Sequence, residues 1–148
     1  MQEGIQLLAA LFGSLGFSML FNIRGQKVIF AALGGFLAWI VYLLVEKVTP
    51  NPYLCGFTAS VMLTLYAECM ARVHKTPVTV FLVSAAIPLF PGAPLYRTMN
   101  FLMHRNWEGF AEESVYTLLF AVSMSAGITF TTILFRMVWN WSHGQRRM

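Results

Sequence analysis

Residues 68–96 read ECMARVHKTPVTVFLVSAAIPLFPGAPLY. From Val78 to Tyr96 the run carries no charged side chain and is about as long as the ~20 residues a helix needs to cross a bilayer. Its second half holds Pro88, Pro91 and Pro94, with Gly92 among them. Each proline lacks an amide hydrogen and leaves a carbonyl one turn earlier without its helical partner, here near Ser84, Ile87 and Phe90. One proline in a membrane helix is commonly a kink, but three at three-residue spacing predict an interruption. At 1.5 Å per residue, Pro88 lies about 15 Å and Pro91 about 20 Å from Val78, just past mid-depth. Unpaired backbone at that depth is tolerated only against protein or a watery cavity, the setting in which broken helices form transport sites. Ser84, Pro88, Pro91, Gly92 and Pro94 are therefore candidate residues of a substrate pathway. The plainer alternative is that the prolines end the helix at the outer interface.

The rest of the chain agrees with a membrane setting. Of its 148 residues 57% are hydrophobic and 11% charged, against about 25% charged in a soluble domain, and mean hydropathy is +0.64. A water-soluble core of this size cannot hide so much apolar surface. Five apolar stretches, at about 5–21, 28–45, 53–71, 78–96 and 115–135, predict an all-α integral membrane protein with its fourth helix broken. The linkers are short, so residues 1–148 read as a single transmembrane domain with no hydrophilic module. The exception is 97–114, where Phe101, Trp107 and Phe110 alternate with Arg105, Glu108, Glu112 and Glu113; it predicts a short interfacial helix.

Five crossings place Arg24, Lys27, Arg72, Lys75, Arg136, Arg146 and Arg147 on one side and Lys47, Arg97 and Arg105 on the other. The positive-inside rule then predicts an outside N-terminus and a cytoplasmic C-terminus. Trp39, Tyr42, Tyr53, Tyr96, Trp107, Tyr116, Trp139 and Trp141 suit an aromatic belt at the two interfaces. Small residues recur at helical spacing, as in Ala9, Gly13 and Gly16, in Ala31, Gly34, Gly35 and Ala38, and in Gly56, Ala59 and Ser60. Such faces let helices approach closely in lipid. Five spans are few for a whole transporter, so some of these faces are expected to meet a partner.

Charged candidates cluster at the start of the quoted stretch. Glu68 is a carboxylate inside a span and so a candidate proton carrier or cation ligand. It is also four residues before Arg72, in the order that favours an ion pair on one helix, and both readings stand. Lys75 and His74 read as cytoplasmic loop residues, with attraction of an anionic solute as the alternative for Lys75. Asn22 and Arg24 read as a helix exit carrying a topogenic charge. Cys55 and Cys69, about 20 Å apart on one helix, are beyond disulfide reach. His74, His104 and His143 fall in separate segments, and no metal-ligand spacing, phosphate-cradling loop or nucleophile elbow is present. No cofactor and no metal is expected. The basic residues are scattered between apolar runs, which argues against nucleic acid.

The run KTPVTVFLVSAAIPLFPGAPLY, preceded by YAECMARVHK and upstream by FNIRGQKVIFAALGGFLAW, resembles the threonine/serine exporter (ThrE) family. It is similar in particular to the small YjjB-like subunits that correspond to the C-terminal half of the fused exporters. The likeness covers nearly the whole chain, and its most specific part is K-x-P followed by P-L-x-P-G and a nearby tyrosine. It implies a bacterial inner-membrane exporter subunit that works with a larger membrane subunit. The implied cargo is threonine and serine or a dicarboxylate such as succinate, driven by the proton gradient. On this sequence the motif positions are Lys75, Pro77, Pro88, Pro91, Gly92 and Tyr96, with Glu68 and Arg72 just upstream. Homo-oligomerisation is a further expectation. An odd number of spans also suits one half of an inverted-repeat pair. Two other classes stay open: a non-transporting accessory subunit, and an intramembrane enzyme.

Overall fold

The computed structural model describes residues 2–23 and 25–144. Among them the chain is helical throughout: α1 (Gln2–Leu20), α2 (Lys27–Val48), α3 (Pro52–Val73), α4 (Val78–Ala86), a single 3-10 turn (Ile87–Leu89), α5 (Gly92–Met103) and α6 (Trp107–Gly144). Arg24, Arg146 and Arg147, which entered the charge count, lie outside the described residues.

The helix ends follow from local chemistry. Asn51 caps α3 by accepting from the Tyr53 amide at 3.1 Å, and Pro52 occupies the first helical position, where its missing amide costs nothing. Asn106 caps α6 by accepting from the Gly109 amide at 3.1 Å. Pro50 stops α2. Three helices end in the same way. Ile23 N–H donates to Ser18 O after α1, Thr76 N–H to Ala71 O after α3, and Asn106 N–H to Phe101 O after α5. Each closure is a Schellman motif with its pivot residue at positive φ: Asn22 (55°), Lys75 (49°) and Arg105 (54°).

Small residues set the spacing inside the bundle. A β-carbon on Gly35 would collide with Ser14 of α1 and come within 3.3 Å of the Ala85 carbonyl of α4. One on Gly34 would sit 2.9 Å from the Tyr66 ring, and one on Gly56 3.0 Å from the Phe120 ring. On Gly127 it would strike Ser60 and the Phe57 carbonyl. Two buried clusters result. One gathers Ala38, Ala59, Leu63, Ala85, Leu89 and Phe120, and the other Ala31, Ala67, Ala71 and Phe81.

Helices α3 and α6 run parallel. Tyr53 meets Tyr116 and Ser123, Gly56 meets Phe120, Ser60 meets Gly127, and Arg72 meets Phe135 and Trp139. Between two parallel neighbours the chain must return to its starting end, and α4 with α5 is the segment that returns it. The two are bent by 56°. They therefore make one broken crossing rather than a re-entrant loop, alongside four helices long and apolar enough to span. Glu3 pairs with Lys47 at one end of the bundle, while Trp139 lies beside Arg72 at the other, so the two ends of the described chain point opposite ways.

Two boundaries differ from the sequence expectation. The fifth span, expected at 115–135, is the middle of a helix that begins at Trp107 and runs to Gly144. Hydropathy falls across Glu108, Glu112 and Glu113, but the backbone stays helical because α5 covers it. Arg97 grips the Glu113 carboxylate with two hydrogen bonds of 2.6 and 3.2 Å, and the Phe101 ring seats against Gly109. The connection expected over 97–114 is thus a helical hairpin, α5 folded back on the first turns of α6. Among the described elements α5 packs against α6 alone.

Candidate functional site

The break falls beside the first buried cluster. Leu89 packs with Ala38, Ala59 and Phe120, the chain turns at Phe90 and Pro91, and α5 starts at Gly92. Two of the three carbonyls that the prolines were expected to free are recaptured locally. Ile87 O accepts the Phe90 amide at 3.2 Å, and Phe90 O accepts the Gly92 amide at 2.8 Å. The expectation that the prolines leave all three without a partner is corrected accordingly. The Ser84 carbonyl faces a proline, which has no amide to give.

What the break provides is space. A cleft of about 200 Å³ opens along it, with Pro88, Pro91, Gly92 and Pro94 on one bank. The other banks are Trp39 and Tyr42 of α2, and Tyr116 and Phe120 of α6. Trp39 and Tyr42 lie face to face, ring centres 5.1 Å apart and 9° from parallel. Tyr116 stacks on Phe120 at 6.4 Å and tilts against Tyr53 at 5.8 Å. The cleft thus lies between α2 and α6, and the broken helix bridges the gap. No side chain in its lining is charged. A second cleft of about 220 Å³ lies across Trp39 and Pro88, against Gln6, Ala9 and Ala10 of α1.

The candidates read from sequence divide between places. Pro88, Pro91, Gly92 and Pro94 meet at the first cleft. Tyr96 is 73% exposed and outside it. Ser84 lines another cleft, of about 240 Å³, nearer the α3–α4 turn, with Thr79, Val83, Phe21 and Ile23. Its hydroxyl is buried without a hydrogen-bond partner. Glu68 and Arg72 sit farther along α3, Glu68 about 14 Å beyond Ala59 at 1.5 Å per residue. Glu68 is 3% exposed and accepts from Arg72 Nη2 at 3.1 Å. The Arg72 guanidinium in turn lies 4.0 Å from the Trp139 ring centre and 4.5 Å from that of Phe135, so α6 clasps the pair through cation–π contacts. His74 packs its ring against Phe30 and Phe81. Lys75 is exposed at the pivot of the helix cap.

The aromatic side of the cleft escaped the sequence reading, which assigned Trp39, Tyr42, Tyr53 and Tyr116 to an interfacial belt. A signal was present in the spacing. Trp39 and Tyr42 are three residues apart and Tyr116 and Phe120 four, so each pair shares a helix face.

A family model described as Threonine/Serine exporter, ThrE, matches residues 6–134, which takes in α1 through most of α6 and the whole of the break. The chain belongs to the threonine/serine exporter family. No solved structure matches it. With its apolar helices, membership makes this a multi-pass membrane protein of a transport family.

Proposed function

We propose that the chain is one subunit of a secondary exporter that moves a small polar metabolite across the bacterial inner membrane. The cargo is threonine or serine, or a dicarboxylate such as succinate. The observation that carries this reading is the break at Pro88–Gly92, which opens an uncharged, aromatic cleft between α2 and α6. Tyrosine hydroxyls there can both donate and accept hydrogen bonds. Glu68 is the proton-coupling carboxylate, a role supported by its burial and by its pairing with Arg72. The N-terminus is outside and the C-terminus cytoplasmic. In support, Lys27, Arg72, Lys75 and Arg136 gather at one end of the bundle, against Lys47, Arg97 and Arg105 at the other.

A larger membrane subunit completes the pathway. Gly13 and Gly16 of α1 support this, because a β-carbon on either would meet nothing within 4 Å, unlike Gly34, Gly35, Gly56 and Gly127. Helix faces of that kind allow close approach by a second protein in lipid.

Reconstitution tests the reading. The chain is placed in vesicles with and without the larger subunit, and efflux of labelled threonine, serine and succinate is followed under an imposed pH gradient. Gradient-driven efflux of at least one solute is expected from the pair and not from the chain alone. Replacing Pro88 and Pro91 together by alanine restores two helical amides, and it should cut efflux by about tenfold or more, equivalent to about 1.4 kcal/mol. Efflux from the chain alone overturns the shared pathway, and absence of efflux from the pair overturns the export reading.

A further inference from the structure

Trp39 lines two clefts at once. Together with Pro88 it borders both the space beside α1 and the space at the break. Its indole nitrogen is buried and has no hydrogen-bond partner. This is a costly arrangement, because the indole N–H can only donate and no acceptor among the described residues receives it. The buried hydroxyls of Ser14 and Ser84 also lack partners, but a helical serine can turn back onto a carbonyl of its own helix. The indole N–H has no such retreat, since the ring holds it away from its own backbone. Pro88 across the wall contributes no amide, and no charged group lines either cleft.

We propose that Trp39 is a movable wall between the two clefts, and that its N–H is satisfied when the ring swings aside and donates to an oxygen of the transported solute. The ligand group is an acceptor, a carboxylate in the first place, which threonine, serine and succinate all carry. In the arrangement described here the clefts of about 220 and 200 Å³ are separate. Displacing the ring joins them, giving a continuous space from α1 to the break. Solute binding and opening are then the same event, because the hydrogen bond exists only in the open arrangement. The stack on Tyr42 gives the closed ring its resting place. This inference rests on the exporter reading above and adds to it a residue that senses the cargo.

The test uses the full chain with its larger subunit in lipid nanodiscs, with the indole nitrogens isotopically labelled. The sequence has four tryptophans. The Trp39 N–H resonance is assigned by its loss in Trp39→Phe, or by elimination with phenylalanine at the other three positions. L-threonine and succinate are the probes. The Trp39 resonance should move downfield and saturate with a transported solute, while the other three stay in place. In vesicles, Trp39→Phe keeps an aromatic ring on Tyr42 but loses the donor. KM should rise about tenfold, the equivalent of about 1.4 kcal/mol, with maximal rate held. The preference for L-threonine over threoninol, its carboxyl-reduced analogue, should shrink by a similar factor. A Trp39 resonance that stays fixed at solute levels saturating wild-type efflux overturns the proposal, as does an unchanged KM and preference in Trp39→Phe. With wild-type efflux intact, either result removes the role of Trp39 alone; loss of all wild-type efflux removes the exporter reading with it.

Discussion

At Lys75 the backbone turns through φ 49° two residues beyond α3, a conformation that costs a residue with a β-carbon about 1–2 kcal/mol and glycine almost nothing. Its exposed ammonium lies near the carbonyl end of α3, where positive charge returns a few tenths of that. Lys75→Gly should therefore raise stability by about 0.5–1 kcal/mol, read as a higher unfolding midpoint in detergent, with efflux unchanged. A parallel loss of efflux would instead give the ammonium a part in attracting solute. The Glu68–Arg72 pair was legible in the sequence, because four-residue spacing on one helix fixes the geometry. The clasp of Arg72 by Phe135 and Trp139 was not, because those rings arrive from a helix more than sixty residues away. The same holds for Trp39 and Tyr116. Each looks like an interfacial aromatic until the fold sets both against the break.

Helix ends were legible wherever a side chain or a proline dictates them, as at Asn51–Pro52, Asn22 and Pro77. The join at 107–114 was not legible: the interfacial helix expected there runs without interruption into α6, and tertiary cover from α5 decides. Small-residue faces illustrate the same divide. Gly35 and Gly16 look alike in sequence, yet Gly35 is buried against Ser14 and the Ala85 backbone while Gly16 meets open space. Gly35→Ala should destabilise by about 1–3 kcal/mol, because the added methyl overlaps the Ser14 side chain and the Ala85 carbonyl on its other side leaves it no room to shift. Gly16→Leu should leave the unfolding midpoint of the chain within about 0.5 kcal/mol, the range of ordinary surface changes, and yet reduce recovery of the larger subunit in affinity purification. Equal loss of midpoint in both variants would count against α1 as the assembly face.

The whole molecule divides around its break. Helices α1, α2 and α4 pack together on one flank, α5 and α6 form the other, and α3 touches both. The candidate cleft exists only once these parts meet, so no window of the sequence contains it. What the sequence did contain was the place where the crossing fails, together with the family likeness that matches residues 6–134. The break also leaves α5 with neighbours on one side only, since it buries no residue fully and, among the described elements, docks on α6 alone. Local opening of such a segment exposes little apolar surface and needs no rearrangement of the remaining helices. In heavy water, backbone amides of α5 should therefore take up deuterium well before those of α2 and α3. Pulse-labelled peptides read by mass spectrometry would record that order, and the hairpin would emerge as the first cooperative unit of the protein to come undone.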